Sequence, residues 1–363
     1  MTSRERVLLA IDHQVPDRIP IDFWATAGMI AKLEAGLGRS YPQFLDDYDV
    51  DLRYIVGPRY TGPPLTSAGP GETVDIWGVP RRVIEVAVPG GVERYAEVVR
   101  APLAGAQTVD DVLSYHHWPS SDWFDYSGVE RQCDDVLRQG RAVAFMGDRL
   151  SRVSQMKPAM YLRGDEPFMI DLAMNPEVAR AIIGKVRQFY LGYLERVFEA
   201  ARGKIDILVS GDDFGTQRGL WVSAAMWDEF IRDGFAAYNT LVKSHGVKAM
   251  HHSCGAVSEL IPRLIECGLD VLQSIQPEAR GMGIDELKPK YGAQLAFQGG
   301  VSVQTTLPFG GAQEIRGEVK HLAEVAGKGG GYIFGTAHNI QADTPVENVV
   351  TLMKAYHEYG VYR

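Results

Sequence analysis

The sequence predicts an α/β fold, a (β/α)8 barrel of the TIM type with an N-terminal extension and a small hairpin insertion. Three observations carry that prediction. From about residue 140 onward, short apolar runs alternate with amphipathic segments of helical period, the order that builds a parallel sheet. The strand candidates number about eight, enough to close such a sheet on itself. Nearly every candidate strand ends in polar residues, and strand C-termini are where barrels of this type carry their chemistry.

Taken in order, Ser3 to His13 has Val7, Leu8 and Ile11 at helical spacing, and Pro16 and Pro20 stop the helix. Ile19 to Trp24 reads as a short strand, and Asp51 to Val56 as another. Between about residues 75 and 103 the pattern alternates around Pro89-Gly90-Gly91, which predicts the hairpin excursion. Ala142 to Met146 is a buried strand. A helix then starts at Pro176, with Asn175 at its N-cap and Val178, Ile182, Val186, Phe189 and Tyr193 on one face. Strands follow at Ile205 to Ser210, Val247 to His252, Val271 to Ile275, Leu295 to Gln298 and Tyr332 to Phe334. A helix from about Ala224 to His245 separates the first two, and another ending at Gly268 separates the next two. With no repeat and no linker-like segment, the chain reads as one domain over 1–363.

Composition narrows the function. A length of 363 residues fits a barrel with insertions, and 45% hydrophobic residues can fill its core. A net charge of −9 and a pI near 5.5 argue against a nucleic-acid partner. No uninterrupted apolar run approaches the roughly 18 residues of a membrane span, and Met1 to Arg6 has the mixed charge of neither a span nor a signal peptide. Three cysteines, Cys133, Cys254 and Cys267, are too few for a disulfide framework, so a reducing, cytoplasmic setting is expected.

The sharpest local signal is His251-His252-Ser253-Cys254-Gly255. Residues two apart on a strand share a face, so His252 and Cys254 can converge on one metal ion, and imidazole and thiolate are both zinc ligands. The bland alternative is a core histidine beside a small buried cysteine. Asp212-Asp213 follows the strand at Ile205, where the carboxylates can bind metal, orient a histidine, transfer a proton or merely cap a turn. Asp213-Phe214-Gly215 lacks the rest of a kinase motif set. Gly327 to Gly331 precedes a strand, whereas a phosphate loop follows one. His338 and Asn339 lie just past the last strand, and His338 can be a ligand or a proton donor. Asp148, Trp24, Gln217 and Gln298 are further candidates at strand ends.

Several segments together resemble the uroporphyrinogen decarboxylase superfamily. They are Asp17-Arg18-Ile19-Pro20-Ile21, Asp75-Ile76-Trp77-Gly78, Asp212 to Gln217, His252 to Gly255, Gly330 to Phe334 with His338-Asn339-Ile340, and Thr344 to Val349. The resemblance implies one of two chemistries. True uroporphyrinogen decarboxylases are cofactor-free and hold a tetrapyrrole's carboxylates with arginines just after the first strand. Here that stretch is Phe23 to Met29, without an arginine, which is electrostatically poor for a poly-anion unless Arg53, Arg59 or Arg163 substitutes. The other branch holds zinc-dependent methyltransferases that work with a corrinoid protein, and His252 and Cys254 match its zinc-binding His-x-Cys pair. Its thiol-methylating members carry another cysteine after the last strand, where this chain has Gly335-Thr336-Ala337-His338.

The expectation is therefore a zinc methyltransferase that demethylates a small O- or N-methylated compound and passes the methyl group to a corrinoid on a separate protein. His252 and Cys254 would bind zinc, Asp213 or His338 would complete the shell, and Asp213, His338 and Asp148 are the catalytic candidates. Asp212, Gln217, Trp24 and Gln298 are the substrate-binding candidates. The alternative is a metal-free carboxy-lyase on a smaller acid, with Asp213 and His338 moving protons; a barrel that only binds a ligand is the third reading. The expected partners are a small-molecule substrate, the corrinoid protein and a second copy of the chain in a homodimer.

Overall fold

The structure, a computed structural model, describes residues 1–66, 69–147 and 153–362. Among them, seven parallel strands form one curled sheet: β1 (Leu52–Ile55), β2 (Ala142–Phe145), β3 (Ile207–Gly211), β4 (Lys248–His252), β5 (Val271–Ile275), β6 (Ala296–Val301) and β7 (Tyr332–Thr336). They neighbour one another in chain order, as the alternating pattern predicts. The segment before β1 fills the eighth place. Phe334 N–H donates to Pro20 O at 2.7 Å and Asp22 N–H to Phe334 O at 2.9 Å, while Asp51 N–H donates to Ile21 O at 3.0 Å. Ile21 thus lies between β7 and the start of β1 and seals the (β/α)8 barrel. The predicted strand at Ile19 to Trp24 is reduced to single bridges, Ile21 to Phe334 and Ala25 to Ile340. Pro20 has no N–H to donate, and Ile21 N–H is taken by the Asp51 carboxylate at 2.8 Å.

Side-chain alternation sorts the strands into two cores. Leu52, Ala142, Ala144, Met146, Ile207, Val209, Met250, Val271, Ala296 and Ile333 point inward and pack together. Val7 and Ile11 of the helix Ser3–Ile11 join them and plug the end where the strands begin. The other set, including Val143, Phe145, Leu208, Ala249, Leu272, Phe297 and Phe334, packs outward against the helices. The long helix Pro176–Ala201 contributes a buried stripe from Val178 through Ile182, Val186, Phe189 and Tyr193 to Val197.

Three expectations change in detail. The excursion is a three-stranded antiparallel sheet, because Glu72–Val74 pairs with the hairpin Pro80–Val88 and Gly91–Val98. Its tip is fastened by Glu93, which accepts hydrogen bonds from Thr26 Oγ1 and Ala342 N, each at 2.6 Å. The helix predicted from Ala224 to His245 is two, Ala224–Phe230 and Arg232–Ser244. They divide at Ile231, whose carbonyl also accepts a hydrogen bond from the buried Gln155 amide at 3.1 Å. Two helices not foreseen, Met156–Arg163 and Asp165–Met174, follow β2 and meet at Gly164 in a positive-φ turn. No helix among the described residues is long and apolar enough to cross a membrane.

Candidate metal centre at the strand ends

The strands β4, β5 and β6 run in register, so His252, Gln273 and Gln298 sit side by side on the inner face. All three are buried. His251, one residue earlier, faces the helices, where it stacks on Phe214 at 5.1 Å and bonds Ser210 Oγ through Nδ1 at 2.8 Å. Parity along β4 therefore separates a packed histidine from one available to the barrel interior.

Past His252 the chain turns sharply so that Cys254 folds back toward it. Gly255 at φ +84° makes the turn, and a β-carbon there would lie 2.3 Å from the Gly215 carbonyl oxygen. Ser253 Oγ accepts from Phe214 N–H at 2.9 Å, and Asp213 Oδ1 accepts from Cys254 N–H at 3.1 Å, which ties the ends of β3 and β4 together. As a result Cys254 Sγ lies 3.4 Å from His252 Nε2.

His338, in the loop after β7, brings a third donor. The ligand atoms of His252, Cys254 and His338 all lie within 4.8 Å of one another. Tetrahedral zinc imposes about 3.5 Å between a thiolate sulfur and an imidazole nitrogen, so the 3.4 Å pair is spaced for it. His252 Nδ1 lies 3.2 Å from Gln273 Oε1. With Nδ1–H donating there, Nε2 turns its lone pair toward the sulfur, the arrangement metal-bound histidines usually have. The donor set fits zinc with one position left open.

The carboxylates divide. Asp212 is fully enclosed and accepts the backbone N–H groups of Gln155, Met156 and Lys157 at 2.6, 3.0 and 2.8 Å. It thereby caps the helix Met156–Arg163 from another element. Burial pushes its carboxyl up to about 6 against the pull of those amides. Its oxygens are committed to the start of a helix more than fifty residues earlier, and not to the turn after β3 that the sequence offered it as a cap. Asp213 stays at the centre, with Oδ1 3.7 Å from His252 Nε2 and Oδ2 2.7 Å from Lys157 Nζ. Burial opposes its charge, but His252 when protonated, the Lys157 ammonium and the Cys254 amide hold it below the usual carboxylate range. Lys157 is raised in turn, its own burial outweighed by Asp213.

Trp24 reaches the interior from the sealing segment, with its ring 5.6 Å from both the His252 and the His338 rings. Gln298 Nε2 donates toward Asp22 Oδ2 at 3.4 Å, and Tyr54 OH donates to the same oxygen at 2.7 Å. Gly335 leaves room for that reach, since a β-carbon there would sit 2.6 Å from Gln298 Nε2. Gln217 is exposed on the turn after β3, where its carbonyl accepts from Arg280 N–H at 3.0 Å. Asp148 lies outside the described residues. Asp22, Gln273 and Ser274, polar strand ends to which the sequence assigned no individual role, join the site, and so does Lys157. Only the polar ends of the strands at Ile19 and Val271 hinted at the first three, and Lys157 carries no local signal at all.

A family model of uroporphyrinogen decarboxylase (URO-D) matches residues 154–359, more than half of the chain, and takes in His252, Cys254 and His338. The chain belongs to the URO-D family. Among curated URO-D relatives, the uroporphyrinogen decarboxylase of Anaeromyxobacter dehalogenans is 31% identical over 189 residues, 52% of this chain and 50% of that protein. That of Carboxydothermus hydrogenoformans is 25% identical over 190 residues, 50% of this chain and 48% of that one. The chain thus spans about half the length of the curated relatives it matches. Its fold is also that of a methyltransferase from Methanosarcina mazei, with a TM-score of 0.68 at 17% identity over 99% of both chains.

Proposed function

We propose that this URO-D family protein is a zinc-dependent methyltransferase that removes a methyl group from a small O- or N-methylated compound, with a corrinoid on a separate protein as acceptor. The observation that carries the reading is the convergence of His252, Cys254 and His338 within 4.8 Å. Zinc held by those three residues would supply a Lewis acid that polarises the heteroatom bearing the methyl group. The remaining groups prepare the pocket. Gln273 orients His252, and Trp24 packs its ring against both imidazoles. Losing the methyl group leaves the heteroatom an electron pair to be protonated, and the Lys157 ammonium, paired with ionised Asp213, would supply that proton. Gln298 and Trp24 would line the space for the substrate.

The cations that could replace the missing arginines of a tetrapyrrole site are occupied. Arg53 binds Asp46 and the carbonyls of Val50 and Leu52, Arg59 binds Asp125, and Arg163 binds Asp171 and the carbonyls of Leu103 and Ala104. That weighs against an octa-carboxylate substrate. The second reading, a metal-free carboxy-lyase on a smaller acid, draws on the ionised Asp213 beside Lys157 and on the activity named in the curated relatives.

Metal analysis separates the two. Protein purified without chelator should carry about one zinc per chain. Cys254→Ser should lose most of it while keeping its fold, and Cys267→Ser, at a helix end, should retain it. Substoichiometric zinc in the wild-type protein, or full zinc in Cys254→Ser, selects the carboxy-lyase.

A further inference from the structure

Ser274 has φ +78°, a left-handed conformation that a side chain with a β-carbon rarely adopts. It sits where the pairing of β5 with β6 slips: Gln273 stands opposite Gln298, but Ile275 stands opposite Gly299. The slip changes the parity of the strand. Leu272 and Ile275 both pack outward in the helix-facing core, which leaves two consecutive residues, Gln273 and Ser274, for the inner side. A regular strand would give that side only one.

Each of the two polar side chains reaches toward a different histidine. Gln273 Oε1 meets His252 Nδ1 at 3.2 Å. Ser274 Oγ donates to the carbonyl of Ala337, the residue before His338, and lies 4.0 Å from Cys254 Sγ. The same stretch is tethered by Ala337 N–H to Val301 O at 2.8 Å and by Thr336 Oγ1 to His338 O at 2.6 Å. Of these three tethers the serine is the one that comes from the strand next to β4, so it relates the His338 loop to the His252–Cys254 turn.

We infer that Ser274 is a positioning residue of the metal centre: the β5 bulge turns its hydroxyl inward to hold His338 in reach of Cys254, as Gln273 holds His252. The inference rests on the zinc reading and adds to it a residue that supplies no ligand yet sets affinity.

The test is metal affinity, read by competition with a chromophoric chelator, for wild type, Ser274→Gly, His338→Ala and the double variant. Glycine takes φ +78° without strain, so Ser274→Gly should fold at least as stably as wild type while losing the hydroxyl. Its zinc affinity should fall about 10- to 100-fold, in the range for partners that orient ligands. In the His338→Ala background the same change should have no further effect, because the histidine it positions is gone. The cobalt(II)-substituted form of Ser274→Gly should keep its thiolate charge-transfer band, since Cys254 remains a ligand, while its ligand-field bands shift. An unchanged zinc affinity in Ser274→Gly, or an equal loss with and without His338, overturns this inference alone. Wild-type protein that binds no metal overturns the zinc reading and the inference together.

Discussion

Both ends of the barrel gather charged and polar side chains, and they put them to opposite uses. At the end where the strands begin, buried Asp51 accepts from Arg6 and Arg18, each at 2.6 Å, and from Ile21 N–H. Arg6 continues to Asp17, Arg18 to Asp49 and Tyr356, and Tyr356 OH to Ile19 O. Each of these donors finds its acceptor inside the cluster, three of them on Asp51, so the cluster spends its polarity on binding the first helix, the sealing segment and the last helix to one another. At the end where the strands finish, imidazole and thiolate donors of three elements converge on a common point. A cluster of titratable residues is therefore not a site by virtue of its density. What distinguishes the two is whether the lone pairs are paired off locally or aimed at the same place.

The sharpest way to break this contrast is to remove the centre of each cluster and measure unfolding by denaturant. Asp51→Ala leaves two guanidinium groups facing a buried gap and should cost about 3–5 kcal/mol of stability. Cys254→Ser, compared without metal, should change stability by less than about 1 kcal/mol. Equal losses at the two ends would mean that the upper cluster is also structural.

A smaller effect separates orientation from packing at the upper end. Gln273→Leu keeps a buried side chain of similar size but removes the acceptor for His252 Nδ1. Zinc affinity should fall about 10- to 100-fold, with little change in the unfolding midpoint. A loss of stability without a loss of affinity would assign Gln273 to the core.

The smallest effect concerns Asp212, which belongs to the upper end by position and to the lower one by behaviour. Its folded carboxyl is raised to about 6, so the stability it contributes is present in full below its unfolded value and is lost as pH rises through about 6. Asp212→Asn should flatten the pH dependence of the unfolding free energy between about pH 4 and 6, by on the order of 2 kcal/mol. An unchanged slope would show that the three amides at the helix end, rather than burial, govern its ionisation.

Much of this arrangement was legible from residue order. Strands that are buried on both faces are short apolar runs, so Ala142 to Phe145 and Val271 to Ile275 stood out; His252 and Cys254 do meet, but through the turn past the end of β4 and not through strand alternation. What failed was whatever depends on a partner distant in sequence. Adjacent Asp212 and Asp213 look equivalent, yet one caps a helix over fifty residues earlier and the other faces the histidine. That helix was itself hidden, because Pro158, Gly164 and Pro167 interrupt a stretch that reads as loop. Ser274 gives no hint of a positive φ, since the bulge arises from pairing with β6.

The sealing of the barrel by Ile21 against Phe334 has a consequence for how the molecule comes into being. These partners are more than three hundred residues apart, so the sealing segment waits for all seven strands to be made before its neighbour exists. Until then the sealing segment beside β1 presents an open edge to solvent, the kind of edge on which nascent chains aggregate or recruit chaperones. Ring closure thus awaits β7, the last of the seven strands, and the loop bearing His338 follows directly on it. A chain released before that point would have neither a closed wall nor His338.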